Sequence, residues 1–240
     1  MKKFIVLILL FFAGVCFAQV KTFYSDGSKD IGKVALTFDD GPGKATEKIL
    51  EILEEKNVKA SFFMLGVSVQ KNPAGAKAVA AAGHEVANHT YGHINFYAYK
   101  DKDKTDKMEK ELLRSENIIK EATGVEPFLV RFPYGYSKSD AVEVAKKYDC
   151  CLINWSFGCD WEKITAGEMH DKYKKAIKNS AIFLMHDLHE NEKVLSFLSD
   201  FIDEIKQMGY EIVPVSELLN LKRDRYFDFA DSEKTETAAR

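Results

Sequence analysis

Short apolar runs alternate with amphipathic helical patterns along most of this chain, and that alternation leaves few architectures open to it. Residues 34–38, 61–65, 85–87, 128–132, 152–156, 181–185 and 212–215 are brief, rich in β-branched or aromatic side chains, and read as strands. Between them, residues 46–56, 107–122, 139–148, 168–178 and 194–208 repeat apolar side chains at helical spacing. Ile49, Ile52 and Leu53 share one face of the first helix, and Met108, Leu112 and Ile119 one face of the second. Gly124 and Gly209 stand where two of these helices should stop. Strand–helix alternation predicts parallel strands with right-handed crossovers. Seven such units predict a barrel more than an open sheet, although periodicity alone does not separate the two.

The 240 residues, 46% hydrophobic and 30% charged, suit one ordinary globular domain. With a formal net charge of -3 and no long Lys/Arg block, no nucleic-acid partner is expected, and the alternating signs of residues 100–111 read as a solvated face. Lys2 and Lys3 precede an apolar run over residues 4–12, and Cys16-Phe17-Ala18 places small residues at the -3 and -1 positions of a cleavage site. Residues 1–18 therefore read as a secretory signal peptide. The run is too short for a good membrane span, so no stable span is expected once it is removed. Export would place the protein outside the cell, in the periplasm or in the cell envelope. A lipoprotein signal ending at Cys16 ranks second, because Val15 stands where a small residue is expected. Residues 19–32 form a lead-in, 33–220 the functional domain, and 221–240 a polar tail whose large apolar residues are Tyr226, Phe227 and Phe229. Without an internal repeat or linker, a single domain and a monomer are expected. Cys150, Cys151 and Cys159 lack structural-zinc spacing. Cys151 and Cys159 could pair across a turn, but burial as small hydrophobes is the better reading.

Polar residues with chemical capability fall at the C-terminal ends of the expected strands, where parallel α/β proteins build their sites. Asp39 and Asp40 end the first run and Gly41-Pro42 stops the chain behind them. Two adjacent carboxylates are costly to hold without a cation nearby. His89 and His93 lie four apart and would share a face if that segment turned helical. Asp40, His89 and His93 then make a three-ligand set that suits zinc, with cobalt, nickel or manganese as possible substitutes. Asp39 is left as a general base, with Arg131 as its partner. The stiff turn Phe132-Pro133-Tyr134-Gly135 would aim the Tyr134 N–H at a developing oxyanion. His186 ends another apolar run, and Asp160 is available to keep its imidazole protonated for donation to a leaving group. Trp161 and Leu184 would wall a small apolar slot. His84, His170 and His189 fit no site and read as structural, and Asp187 reads as turn-forming as readily as functional.

In this order the residues resemble the polysaccharide deacetylases of carbohydrate esterase family 4, the NodB-homology domain, over about residues 34–219. Thr37-Phe38-Asp39-Asp40-Gly41-Pro42, His89-Thr90-Tyr91-Gly92-His93 and Arg131-Phe132-Pro133-Tyr134-Gly135 are similar to its first three motifs. Asp160-Trp161 is similar to the end of the fourth, and Leu184-Met185-His186 to the fifth. Residues 61–66 and 211–218 are family-like as well. The resemblance implies a distorted (β/α)7 barrel and zinc held by Asp40, His89 and His93. It implies Asp39 as base, Arg131 holding it, Tyr134 at the oxyanion, and His186 as acid tethered by Asp160. Leu184 would line the pocket for the acetate methyl. The substrate it implies is an N-acetylated polysaccharide, with peptidoglycan first. Chitooligosaccharide, exopolysaccharide and acetyl-xylan are alternatives, as is a non-catalytic carbohydrate-binding role on the same fold. One departure is Phe157, which stands where many members carry a second Asp, in a fourth motif about one residue short.

Overall fold

The computed structural model describes residues 23–27 and 32–222. The expected signal peptide, parts of the lead-in and the tail from 223 onward lie outside them. Among the described residues the strands are β1 (Phe23–Tyr24), β2 (Lys33–Asp39), β3 (Ser61–Met64), β4 (Glu85–Asn88), β5 (Leu129–Val130), β6 (Cys151–Ile153), β7 (Ile182–His186) and β8 (Glu211–Ile212). The helices are α1 (Thr46–Glu55), α2 (Gly66–Lys71), α3 (Pro73–Ala81), α4 (Lys104–Thr123), α5 (Ser139–Lys147), α6 (Ala166–Lys175), α7 (Glu192–Gln207) and α8 (Val215–Leu218), with a 3-10 turn at Pro133–Gly135.

Seven parallel strands run in the order β1-β6-β5-β4-β3-β2-β7 and curl into a half-barrel, the distorted (β/α)7 form, while β8 adds to the start of β2. Strands β2, β3, β5, β6 and β7 are buried on both faces apart from residues at their ends, and so read as apolar runs. Strand alternation sorts their side chains into two cores. Val34, Leu36 and Phe38 of β2 pack outward with Phe62, Met64, Phe183 and Met185 beneath the helices. Ala35, Phe63, Ala87, Leu129, Cys151, Ile153 and Ile182 fill the interior. The same parity continues upward on β2, through Thr37 to Asp39. Register pairs Asp39 of β2 with His186 of β7, so both reach the same rim of the barrel.

Helix α7 covers the outer face with Val194, Phe197, Leu198, Phe201, Ile202 and Ile205, spaced as one stripe. The Phe201 ring meets Phe183 edge-on at 5.1 Å, and each such buried side chain contributes roughly 1.5–3 kcal/mol. Gly124 and Gly209 end α4 and α7 in left-handed conformations, at φ 74 and φ 82. The chain after β6 crosses the gap between the sheet edges. Ser156 N donates to Ile182 O, Leu184 N donates to Phe157 O, and Ser156 Oγ donates to Ser25 O beside β1. Phe157 bridges to Phe183 and meets the Tyr173 ring edge-on at 5.1 Å in the outer core, so it helps to cover that gap. Cys150, Cys151 and Cys159 are buried in three different apolar clusters.

Candidate active site and metal centre

The mouth of the half-barrel collects the polar residues singled out from the sequence. Asp40 leaves the end of β2 at φ 75, a left-handed turn that swings its carboxylate away from that of Asp39. Nothing bulkier than glycine fits next in the chain, since a Cβ on Gly41 would sit 2.1 Å from Asp187 Oδ2. His89 extends β4 and His93 follows after a loop, not a helix, in which Thr90 and His93 have φ 68 and φ 56. The two imidazoles converge through these left-handed residues, and the helical spacing expected from their separation plays no part.

His89 Nε2 and His93 Nε2 each stand 3.3 Å from Asp40 Oδ1. His89 Nδ1 lies 2.6 Å from the carbonyl oxygen of Arg131. A carbonyl only accepts, so Nδ1 carries a proton and Nε2 is the ring nitrogen left to meet a cation. That nitrogen faces a carboxylate oxygen that is buried without a hydrogen-bond partner. Burial alone would raise the Asp40 carboxyl, but contact with His89 and the charges of His89, His93 and His186 outweigh it and hold the carboxyl at about 2. Burial pushes His93 the other way, below the ordinary imidazole value. A carboxylate oxygen and two imidazole nitrogens within 4.8 Å of one another form a donor set for a divalent cation, and the residues fit one.

Asp39 is held differently. Its Oδ1 accepts from Arg131 Nη1 at 2.6 Å. Arg131 is fully buried, with Nη1 also donating to Thr37 Oγ1, Nε to Ile153 O and Nη2 to Asn154 O. Its guanidinium lies 4.0 Å from the Phe63 ring centroid. Asp39 Oδ2 stays 3.7 Å from His89 Nε2, beside the cation site. On the opposite lip, Asp160 Oδ1 accepts from His186 Nδ1 at 2.9 Å and its Oδ2 accepts from the His186 backbone N–H. Burial lowers the His186 imidazole, but the bond and charge of Asp160, with Asp39 and Asp40 behind it, raise it overall to about 9. The ring is therefore a proton donor at neutral pH.

Tyr134 sits at φ 59 in its turn, exposed, with its ring 4.9 Å from that of His93. Trp161 stands edge-on to His186 at 5.8 Å and is also exposed. Leu184 lies beneath Trp161 with only Gly158 between them; a Cβ on Gly158 would be 2.9 Å from Leu184 Cβ and 3.2 Å from the Trp161 ring. Asp40, Asp160, Trp161 and His186 open onto a cleft of about 720 Å³ that continues past Lys44, Leu188 and His189.

Several contributors carry no local signal in the sequence. Asn191, at φ 39, donates to both Asp160 Oδ2 and His186 O and so ties the pair together. Asp187 is buried, bonds Thr46 Oγ1 at 2.5 Å, and is raised to about 7 by its burial. It packs under the Asp40–Gly41 turn. His84 accepts from Ala60 N, and His170 pairs with Glu204, both as structural residues do. His189, also read as structural, lines the cleft.

The parallel half-barrel thus gathers a candidate cation site, a clamped carboxylate and an Asp–His pair at one rim. Residues 26–152 match the family model for polysaccharide deacetylase, and the chain belongs to that family, carbohydrate esterase family 4 with its NodB domain. A peptidoglycan-N-acetylglucosamine deacetylase of Listeria monocytogenes is 34% identical over 83% of this chain, which spans only 42% of that relative's length. A peptidoglycan-N-acetylglucosamine deacetylase of Bacillus cereus is 34% identical over 79% of this chain and 89% of its own. Among solved structures, the Bc1960 peptidoglycan N-acetylglucosamine deacetylase superposes with a TM-score of 0.79 at 27% identity, covering 85% of this chain and 95% of its own. BA3943, a pseudoenzyme of the same family from Bacillus anthracis, superposes with a TM-score of 0.75 at 27% identity, over 82% and 68%. Among the described residues, no helix is long and apolar enough to cross a membrane.

Proposed function

We propose that this protein is an active, exported, zinc-dependent deacetylase that hydrolyses N-acetyl groups of amino sugars in a polysaccharide, with peptidoglycan as the leading substrate. The observation that carries the reading is the Arg131-clamped Asp39 beside the Asp40–His89–His93 set, facing the His186–Asp160 pair across the same rim. A cation held by Asp40, His89 and His93 would supply Lewis acidity to the acetamide carbonyl and lower the pKa of a bound water. Zinc suits two imidazoles and one carboxylate; cobalt, nickel and manganese are the substitutes to test.

The chain's own residues supply the rest. Asp39 takes one proton from water as its oxygen bonds to the carbonyl carbon. Arg131 keeps Asp39 oriented and ionised for that step. The Tyr134 N–H donates to the oxyanion as charge develops there. His186 gives its proton to the nitrogen as the C–N bond breaks, leaving acetate and a free amino sugar. Leu184 and Trp161, packed against Gly158, are the apolar residues placed to receive the acetyl methyl. The peptidoglycan assignment is supported by the names of the Listeria and Bacillus cereus relatives, and export by the signal-like residues 1–18.

The pseudoenzyme relative favours a second reading, a glycan-binding protein without turnover. Acetate release separates the two. Purified protein is offered peptidoglycan, chitooligosaccharides, an N-acetylglucosamine exopolysaccharide and acetyl-xylan, with and without a chelator. The proposal expects acetate from N-acetylated glycans, lost on chelation and restored by zinc. Binding without acetate on any of them would leave the second reading standing.

A further inference from the structure

We propose that Glu111, on α4, is a positioning residue for the metal site: its carboxylate pins the loop between His89 and His93 and thereby sets where the His93 imidazole points. The inference rests on reading Asp40, His89 and His93 as ligands of one cation. Histidine ligands are normally oriented by a hydrogen bond at the ring nitrogen that does not face the metal. His89 has one, at Nδ1 to Arg131 O. His93 makes no comparable bond among the described residues, and its ring only leans on those of Tyr134 and His89. Its aim therefore depends on its backbone, which stands in the left-handed region at φ 56.

The loop is held at both ends. On the His89 side, Thr90 N donates to Asn88 Oδ1, and the carbonyls of Thr90 and Tyr91 accept from Gly66 N and Val67 N. On the His93 side the tie is Glu111, whose Oε2 accepts the Gly92 N–H at 2.6 Å. Gly92 immediately precedes His93. The carboxylate is 6% exposed, with Lys107 Nζ 3.5 Å away one helical turn back. Burying a carboxylate to satisfy one loop amide is costly, and a neutral acceptor or water would satisfy that amide as well. A short charge-assisted bond is the stiffer tie, which a loop with two left-handed non-glycine residues needs.

The test is metal affinity, read by competition titration with a chromogenic chelator and by the visible spectrum of the cobalt-loaded protein. Glu111→Leu keeps the bulk and removes the acceptor; Glu111→Gln keeps an acceptor and removes the charge. The leucine variant should bind zinc and cobalt about 10–100-fold more weakly, with an altered cobalt spectrum. The glutamine variant should recover only part of that affinity, and Lys107→Ala should bind as the parent does. The melting temperature of each metal-free protein is recorded alongside. A leucine variant with unchanged affinity and spectrum overturns the proposal, whatever its stability. Should it fail to fold, hydrogen exchange on the parent protein decides: a Gly92 amide that exchanges as freely as exposed loop amides overturns it equally. A parent protein that binds neither metal sinks the metal site itself, an outcome distinct from either.

Discussion

Asp39 and Asp40 are neighbours with opposite surroundings, and their chemistry follows from which partner each has. Asp39 is buried against a guanidinium that has no other anion, whereas Asp40 keeps an oxygen bare in front of two imidazole nitrogens. Asp39→Asn should thus lower kcat by about 10²–10⁴-fold while zinc affinity stays near that of the parent. Acetate release and metal titration on the same preparation check both halves. Loss of zinc from this variant would mean that the two carboxylates have been assigned the wrong way round. His186 gives a pH prediction. With its imidazole at about 9, activity needs the protonated ring and falls as pH rises through that value. Asp160→Asn removes the group that lifts it, leaves burial to lower it, and should move the alkaline limb of the pH–rate profile to lower pH. The same linkage acts on stability. The pairing contributes fully below the unfolded histidine value near 6.5 and is lost as pH rises toward 9.

At the scale of elements, strand ends and glycines decide access to the site. Gly158→Ala would drive a Cβ into Leu184 Cβ and its carbonyl at 2.9 Å, so Leu184 should shift against Trp161. The expected result is a higher KM for acetylated substrate with metal affinity unchanged. Away from the rim, Thr165 and Glu168 form a reciprocal capping box on α6, and Thr165→Ala should cost about 1 kcal/mol in denaturant unfolding without altering acetate release. What the sequence shows of these elements depends on contrast. β2 is legible as a short continuous apolar run, and α7 because its apolar residues keep one period over its whole length. Helix α3 is hidden, since Ala74, Ala76, Ala78, Ala80 and Ala81 mark no face, and α2 is a six-residue helix opened by a glycine. β5 is shorter than its apolar run, with only Leu129 and Val130 in the ladder. The metal triad could be read because its residue types and spacing are distinctive. Glu111, Asn191 and Asp187 could not, because their partners lie 19, 31 and 141 residues away, or only five for Asn191 with His186 O, and none belongs to a recurring local pattern.

The whole molecule responds to the site through linkage. A cation bound only by the folded state should raise Tm by about 5–10 °C when its free concentration is a hundredfold above Kd. Thermal scans with and without zinc measure this, and His93→Ala should abolish most of the rise. The pairing of Asp39 with His186 on adjacent parallel strands has a wider consequence. The span between the group that removes a proton and the group that returns one is ruled by sheet register, with neighbouring strands about 4.8 Å apart. Loops add the ties on the His186 side, through Asp160 and Asn191. Cleft positions that carry none of these ties, Lys44 and His189 among them, are thus at liberty to change for a different sugar backbone while the proton-handling interval stays as it is.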